Sequence, residues 1–148
     1  MHTEQPLQLD SLEAVGSALA GRPYARRGVS ASGEPIRVLL VDDHTILRAG
    51  LRALLRTAPD VVLVGEASGG DEAVALAARL APHVVVMDLD MPLGDGASAT
   101  RALAASARPP RVLVLTMHTE ESRLLELLEL GASGYLRKDA AAARHAGA

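Results

Sequence analysis

Three aspartates, a threonine and a lysine occupy positions from which they could act together on a phosphoryl group. Asp42 and Asp43 follow one apolar segment, Asp88 follows another, Thr116 ends a further one, and Lys138 comes just after the last. Carboxylates gathered in one crevice repel each other, so a site built from three of them requires a cation. We interpret this set as oxygen ligands with no His or Cys nearby, which favours a hard ion, above all Mg²⁺.

The chemistry that such a set could carry out is covalent phosphoryl transfer. A carboxylate held beside Mg²⁺ can attack a phosphoryl group and form an acyl phosphate. The hydroxyl of Thr116 and the ammonium of Lys138 could then neutralise charge on the phosphoryl oxygens. Lys138 is the only lysine among 15 basic residues. A lysine differs from an arginine where a compact point charge must reach an oxyanion.

Each of these residues also has an ordinary structural interpretation. Asp42 and Asp43 could be helix caps, because Asp is favoured just before a helix. Asp88 could be a turn residue, Thr116 a strand end, and Lys138 a solvated surface group. The chemical interpretation is favoured because all five side chains fall at the same end of the predicted sheet.

The elements that must position these residues alternate regularly after residue 35. Apolar segments of strand length occur at Ile36–Val41, Val61–Gly65, His83–Met87, Arg111–Leu115 and Gly134–Leu136. Helical patterns lie between them at Thr45–Thr57, Asp71–Leu80, Ser98–Ser106 and Thr119–Leu130. This alternation predicts a doubly wound α/β fold whose parallel sheet is covered on both faces. Ligands bind such sheets beyond the strands' carboxyl ends, where the strand order reverses. The first and third predicted strands meet there, so the three aspartates should meet as well.

The length and composition suit one domain with short additions at its ends. We expect residues 1–35 to be an N-terminal extension that is disordered or weakly helical around Leu12, Val15 and Leu19, residues 36–140 to be the domain, and residues 141–148 to be a short C-terminal helix or tail. A net charge of −3 does not suggest a general nucleic-acid binder. The absence of Cys, of a signal peptide and of a membrane-length apolar run predicts a cytoplasmic protein with no membrane association.

From Ile36 to about Ala140 the sequence resembles a response-regulator receiver domain of two-component systems, most similar to the NarL/FixJ (LuxR-type) group. The matching segments are VLLVDDHTILRAGL, VVLVGEASGGDEAV, HVVVMDLDMPLGDG, VLVLTMH and GASGYLRKD. The resemblance implies a flavodoxin-like sheet of five parallel strands in the order 2-1-3-4-5. It also implies Mg²⁺-dependent phosphoryl transfer from a sensor histidine kinase, or from a small acyl phosphate, onto Asp88.

The resemblance assigns a role to each site residue. Asp88 resembles the phosphoacceptor, and Asp43 resembles the direct Mg²⁺ ligand. Asp42 resembles the acid that holds the metal through water, and the backbone carbonyl of Asp90 resembles the third protein ligand. Thr116 and Lys138 resemble the phosphoryl-binding pair, and Tyr135 resembles the aromatic that switches together with Thr116. A domain of this kind is a signalling phosphoacceptor and not an enzyme, since it promotes only its own phosphorylation and dephosphorylation. It can also form a homodimer.

The sequence leaves two other interpretations open, and its C-terminus differs from the family pattern. Members of this group usually continue into a helix-turn-helix domain, which the ten residues after Lys138 cannot encode, so we expect no DNA binding by this chain alone. One alternative is a receiver-like interaction module that works without phosphorylation. The other is a phosphatase of the haloacid-dehalogenase type that uses Asp88 and Asp90. Such phosphatases place their metal-binding acid pair after the lysine, which argues against this alternative.

Overall fold

A computed structural model describes residues 7–9, 33–92, 95–116 and 121–137. Within these ranges the chain forms six strands and four helices. They are β1 (Leu7–Leu9), β2 (Ile36–Val41), α1 (Thr45–Arg56), β3 (Val61–Ala67), α2 (Gly70–Leu80), β4 (Val84–Asp88), α3 (Asp95–Ala104), β5 (Arg111–Thr116), α4 (Glu121–Leu130) and β6 (Gly134–Arg137). None of the described helices is long and apolar enough to cross a bilayer.

All the strands pair in parallel in one sheet with the order β1-β6-β5-β4-β2-β3. The five strands from β2 to β6 have the predicted order 2-1-3-4-5, so the predicted flavodoxin-like fold is confirmed. The order reverses between β2 and β4. A crevice beyond the carboxyl ends of these two strands is therefore the expected place for a ligand.

The strands form because their residues are apolar on both sides, as expected for a sheet with two covered faces. Every residue of β4 is buried. Alternate residues supply two separate cores. One core contains Leu51 and Leu55 of α1, and the other contains Ala73 of α2 and Ala99 of α3. The small alanines allow α2 and α3 to lie close to the sheet and to each other.

Two helix ends depend on contacts that fix the surrounding loops. The carboxylate of Asp95, the first residue of α3, accepts a hydrogen bond of 2.5 Å from the N–H of Gly70, the first residue of α2. At the end of α4, Gly131 has a φ of +104° and donates its N–H to the carbonyl of Leu128. Glycine adopts this positive φ without strain, so Gly131 ends the helix.

The N-terminal extension contains a strand that the sequence does not predict. Leu7–Leu9 pairs along β6, with Gln8 opposite Tyr135, and adds a sixth strand to the sheet. The predicted helical pattern around Leu12, Val15 and Leu19 lies outside the described residues. The predicted C-terminal helix or tail at residues 141–148 does so as well.

Candidate functional site

The acidic crevice begins where β2 and β4 end side by side. Val41 lies opposite Met87 in the pairing of these strands, so Asp42, which comes next, is level with Asp88. The N–H of Asp42 donates to the carbonyl of Ala67, which keeps the chain extended for one residue after β2. The sequence of apolar strand followed directly by acid therefore delivers two carboxylates to the same edge of the sheet.

The three predicted aspartates come together at this edge. Asp42 and Asp88 are completely buried, whereas the side chain of Asp43 is 32% exposed. One oxygen from each aspartate and a ring nitrogen of His44 all lie within 4.8 Å of one another. Buried carboxylates this close repel each other strongly unless a proton or a cation lies between them.

Backbone N–H groups fix the orientation of the two buried carboxylates. The N–H of Asp90 donates to Asp88 Oδ1 at 2.8 Å. The N–H of His44 donates to Asp42 Oδ1 at 2.7 Å. The second oxygen, Asp42 Oδ2, is buried and accepts no hydrogen bond from the residues that the structure describes. A buried carboxylate oxygen of this kind suits a hydrated cation, so the residues present fit a Mg²⁺ site.

His44 corrects the expectation of an environment without histidine. Its Nδ1 lies 3.3 Å from Asp42 Oδ1, 3.3 Å from Asp43 Oδ1 and 3.7 Å from Asp88 Oδ2. His44 is also the residue at the N-cap position of α1, so the interpretation of Asp42 and Asp43 as caps of that helix is wrong. The sequence does contain a signal for the position of His44, because this residue follows the aspartate pair directly.

Arg48 supports the turn that carries the aspartate pair. Its Nη1 donates to the backbone carbonyl of Asp42 at 2.8 Å, and its Nε lies 3.2 Å from the carboxylate of Glu66. Glu66 also accepts hydrogen bonds from Arg52 of the same helix. Helix α1 is thereby joined to the ends of β2 and β3, which positions Asp42 and Asp43. The sequence analysis did not identify this role for Arg48.

The predicted phosphoryl-binding pair, Thr116 and Lys138, is only partly within the described residues. Thr116, the last residue of β5, is 2% exposed, and it follows Leu115, which lies opposite Asp88. Thr116 therefore lies at the same end of the sheet as the aspartates. Lys138 lies outside the described residues and follows Arg137, the last residue of β6, which pairs with Thr116.

Tyr135 lies in β6, which β5 separates from β4 and the acidic crevice. It is buried, it pairs with Val114 of β5, and its side chain belongs to the core that contains Met87 of β4. On its other side β6 pairs with β1. Tyr135 is thus in the strand between β5, which ends at Thr116, and the N-terminal strand.

Gly96 is a third site residue that the sequence analysis missed. A Cβ atom at this position would overlap the backbone carbonyl oxygen of Asp88 and would lie 3.0 Å from the Cα of Leu89. Only glycine allows α3 to begin this close to the strand end that carries Asp88.

The fold and the acidic crevice agree with what comparison with known proteins finds. The family model described as the response regulator receiver domain matches residues 38–146. This match covers most of the chain, so the protein belongs to the receiver-domain family. It is not a member of the haloacid-dehalogenase phosphatases.

Individual relatives place the chain in the LuxR/NarL group of that family. The transcriptional regulatory protein LiaR of Bacillus subtilis is 43% identical over 113 residues, which are 76% of this chain and 54% of LiaR. The response regulator UvrY of Escherichia coli is 44% identical over 72% of this chain and 49% of UvrY. The chain spans about half the length of these relatives.

A solved structure shows the same arrangement for the receiver portion alone. The signal receiver domain of the response regulator NarL from Mycobacterium tuberculosis is 34% identical, with a TM-score of 0.69. The similarity covers 77% of this chain and 92% of that domain.

Proposed function

We propose that this receiver domain accepts a phosphoryl group on Asp88 in a Mg²⁺-dependent reaction. The donor would be a sensor histidine kinase or a small acyl phosphate. The observation that carries this proposal is the meeting of the buried carboxylates of Asp42 and Asp88 with that of Asp43 at the reversal of the strand order. A structural role does not account for such a cluster, because it places repelling charges in the interior at a cost in stability.

The metal would be held by the carboxylates of Asp43 and Asp88, by the backbone carbonyl of Asp90, and by Asp42 through water. Asp42 Oδ2, which is buried without a hydrogen bond from the described residues, is available for that water. When bound, Mg²⁺ would neutralise charge on the three carboxylates and on the incoming phosphoryl group.

The protein residues would bring the reacting atoms into line and stabilise the developing charge. An oxygen of Asp88 attacks phosphorus, the bond from phosphorus to the donor breaks, and the leaving group keeps its electron pair. The Asp90 N–H holds the Asp88 carboxylate in one rotational position, which lowers the entropic cost of the attack. The Thr116 hydroxyl and the Lys138 ammonium would bind the phosphoryl oxygens.

The consequence of phosphorylation would be a switch on the face formed by Thr116 and Tyr135. Thr116 lies at the reacting edge, and Tyr135 is buried in the adjacent strand, so movement of one can alter the packing of the other. This face would govern contact with a partner, including a second copy in a homodimer. We further propose that this chain alone does not read DNA sequence, because its net charge is −3.

Labelling by a small donor tests the proposal. The full chain is incubated with acetyl phosphate and Mg²⁺, and the intact mass is measured. We expect the addition of one phosphoryl group to the wild type and to the control Asp71→Asn, whose carboxylate lies in the first turn of α2. Asp88→Asn should remain unlabelled. An unlabelled wild type would favour an interaction module that works without phosphorylation.

A further inference from the structure

The outer edge of β6 carries hydrogen-bonding groups that a neighbouring strand must satisfy. On its inner side β6 pairs with β5, where the carbonyl of Leu115 faces the other way and accepts from the N–H of Leu89. The neighbouring residue Val114 therefore faces β6, and it bonds to Gly134 and Leu136, the two residues that flank its partner Tyr135. The N–H groups of Tyr135 and Arg137 then face outward. An uncovered row of this kind readily pairs with another extended chain.

Residues Leu7–Leu9 cover this edge through their backbone. Gln8 lies opposite Tyr135, with Leu7 opposite Gly134 and Leu9 opposite Leu136. In a parallel pair, a residue bonds to the two residues that flank its partner. Tyr135, which faces outward, therefore bonds to the residues that flank Gln8: its N–H can reach the carbonyl of Leu7, and its carbonyl can reach the N–H of Leu9. The carbonyl of Leu9 can in turn reach the N–H of Arg137. Main-chain pairing of this type is a common way for a sheet edge to bind a peptide.

The connection between β1 and β2 is long enough for the same chain to supply the covering strand. Leu9 is the last residue of β1, and Ile36 is the first residue of β2, four strands away in the sheet. At usual strand spacings the two residues are about 30 Å apart. The connection consists of 26 residues, 10–35, and an extended chain of that length reaches well beyond this distance at roughly 3.3 Å per residue. It would hold a released strand near the edge at a concentration on the order of millimolar.

We propose that the outer edge of β6 is a binding site for an extended peptide segment and that Leu7–Leu9 of the same chain is its resident, exchangeable occupant. A strand of three residues makes few bonds, so it remains bound chiefly because the connection keeps it close. Any other extended segment pairs with β6 only after Leu7–Leu9 has left. The site lies on β6, the strand next to the one that ends at Thr116.

Amide hydrogen exchange resolved to single residues tests this proposal on the full chain. Leu9→Pro removes the N–H that faces the carbonyl of Tyr135, and Thr3→Pro adds a proline outside β1 as the control. In Leu9→Pro we expect exchange at Tyr135 and Arg137 to become faster by about tenfold or more, with Gly134 and Leu136 unchanged. Thr3→Pro should match the wild type. A synthetic peptide of residues 1–12, at millimolar concentration, should restore protection in Leu9→Pro.

Two measurements on the wild type remain informative even if the proline variant fails to fold. The Leu9 amide should be protected, and this protection should be the same at low and high protein concentration. Free exchange at Leu9, or equal protection of Tyr135 and Arg137 in a folded Leu9→Pro variant and the wild type, would overturn the proposal. Protection that is lost on dilution would also overturn it, because the occupant would then come from a second copy.

Discussion

Gly96 and Asp88 are in such close contact that no other amino acid fits at position 96 without moving the strand end that carries Asp88. The hydrogen atom of Gly96 faces the backbone carbonyl of Asp88 at the point where α3 begins. The start of this helix therefore determines where the Asp88 backbone lies.

The first prediction is that Gly96→Ala displaces this backbone. We expect the free energy of unfolding to fall by about 1–3 kcal/mol, as for other overpacked sites, and labelling by acetyl phosphate to slow by about tenfold or more. Urea denaturation and the labelling rate provide the measurements. Gly69→Ala is the matched control, because a Cβ there would make only an ordinary 3.4 Å contact with Asp95. Equal labelling rates in the two variants would show that the Gly96 contact does not position Asp88.

A second prediction concerns stabilisation by the metal. Mg²⁺ at about 100 times its dissociation constant should raise the free energy of unfolding by about 2.7 kcal/mol, because it binds the folded carboxylates. Asp43→Ala should lose this stabilisation, and Asp42→Ala should lose less of it, since only Asp43 is proposed to contact the ion directly. Urea denaturation with and without Mg²⁺ measures the effect, and Asp71→Ala is the control. Equal losses in the Asp42 and Asp43 variants would contradict the division of roles.

His44 should influence which metals the site accepts. Its Nδ1 is 3.3 Å from two of the carboxylates, so it can supply a nitrogen ligand. Imidazole suits Ni²⁺, whereas Mg²⁺ prefers oxygen. We therefore predict that His44→Ala weakens Ni²⁺ binding several-fold more than Mg²⁺ binding, as measured by calorimetry. The control His2→Ala should leave the binding of both ions unchanged. Parallel losses for both ions would mean that the imidazole does not act as a ligand.

Arg48 should affect metal binding although it does not belong to the metal-binding group. Arg48→Ala removes the hydrogen bond to the carbonyl of Asp42, and a bond from a charged donor contributes about 1.5–3 kcal/mol. We expect lower stability together with several-fold weaker Mg²⁺ binding, because the turn with Asp42 and Asp43 loses its support. Arg56→Ala, at the exposed end of the same helix, is the control. Unchanged Mg²⁺ affinity in Arg48→Ala would limit Arg48 to a structural role.

Much of the fold was predictable because local and global signals agree. The strand β4 is buried throughout, so its first four residues are apolar, and Asp88 at its end lies at the sheet edge. The same reasoning predicts from the sequence that Asp42, Asp43 and Asp88 meet at one edge of the sheet. Glycine at position 131 marked the end of α4 through its positive φ.

The features that the sequence did not reveal depend on distant parts of the chain. The strand Leu7–Leu9 is too short for a periodic pattern, and its partner lies at the other end of the sequence. The role of Gly96 follows from the approach of α3 to β4, which no local pattern encodes. The position of the His44 ring follows from the turn between β2 and α1, since its backbone N–H is bonded to Asp42.

The central claim, that Asp88 is the phosphoacceptor, is tested most directly by locating the modified residue. The wild-type chain is labelled with acetyl phosphate and Mg²⁺, and the acyl phosphate is reduced with borohydride, which converts the modified aspartate to homoserine. Cleavage at arginine then separates the segment with Asp42 and Asp43 from the segment with Asp88 and Asp90. We predict homoserine at position 88 alone in the fragmentation spectra. Homoserine at position 42, 43 or 90, with none at position 88, would contradict the account.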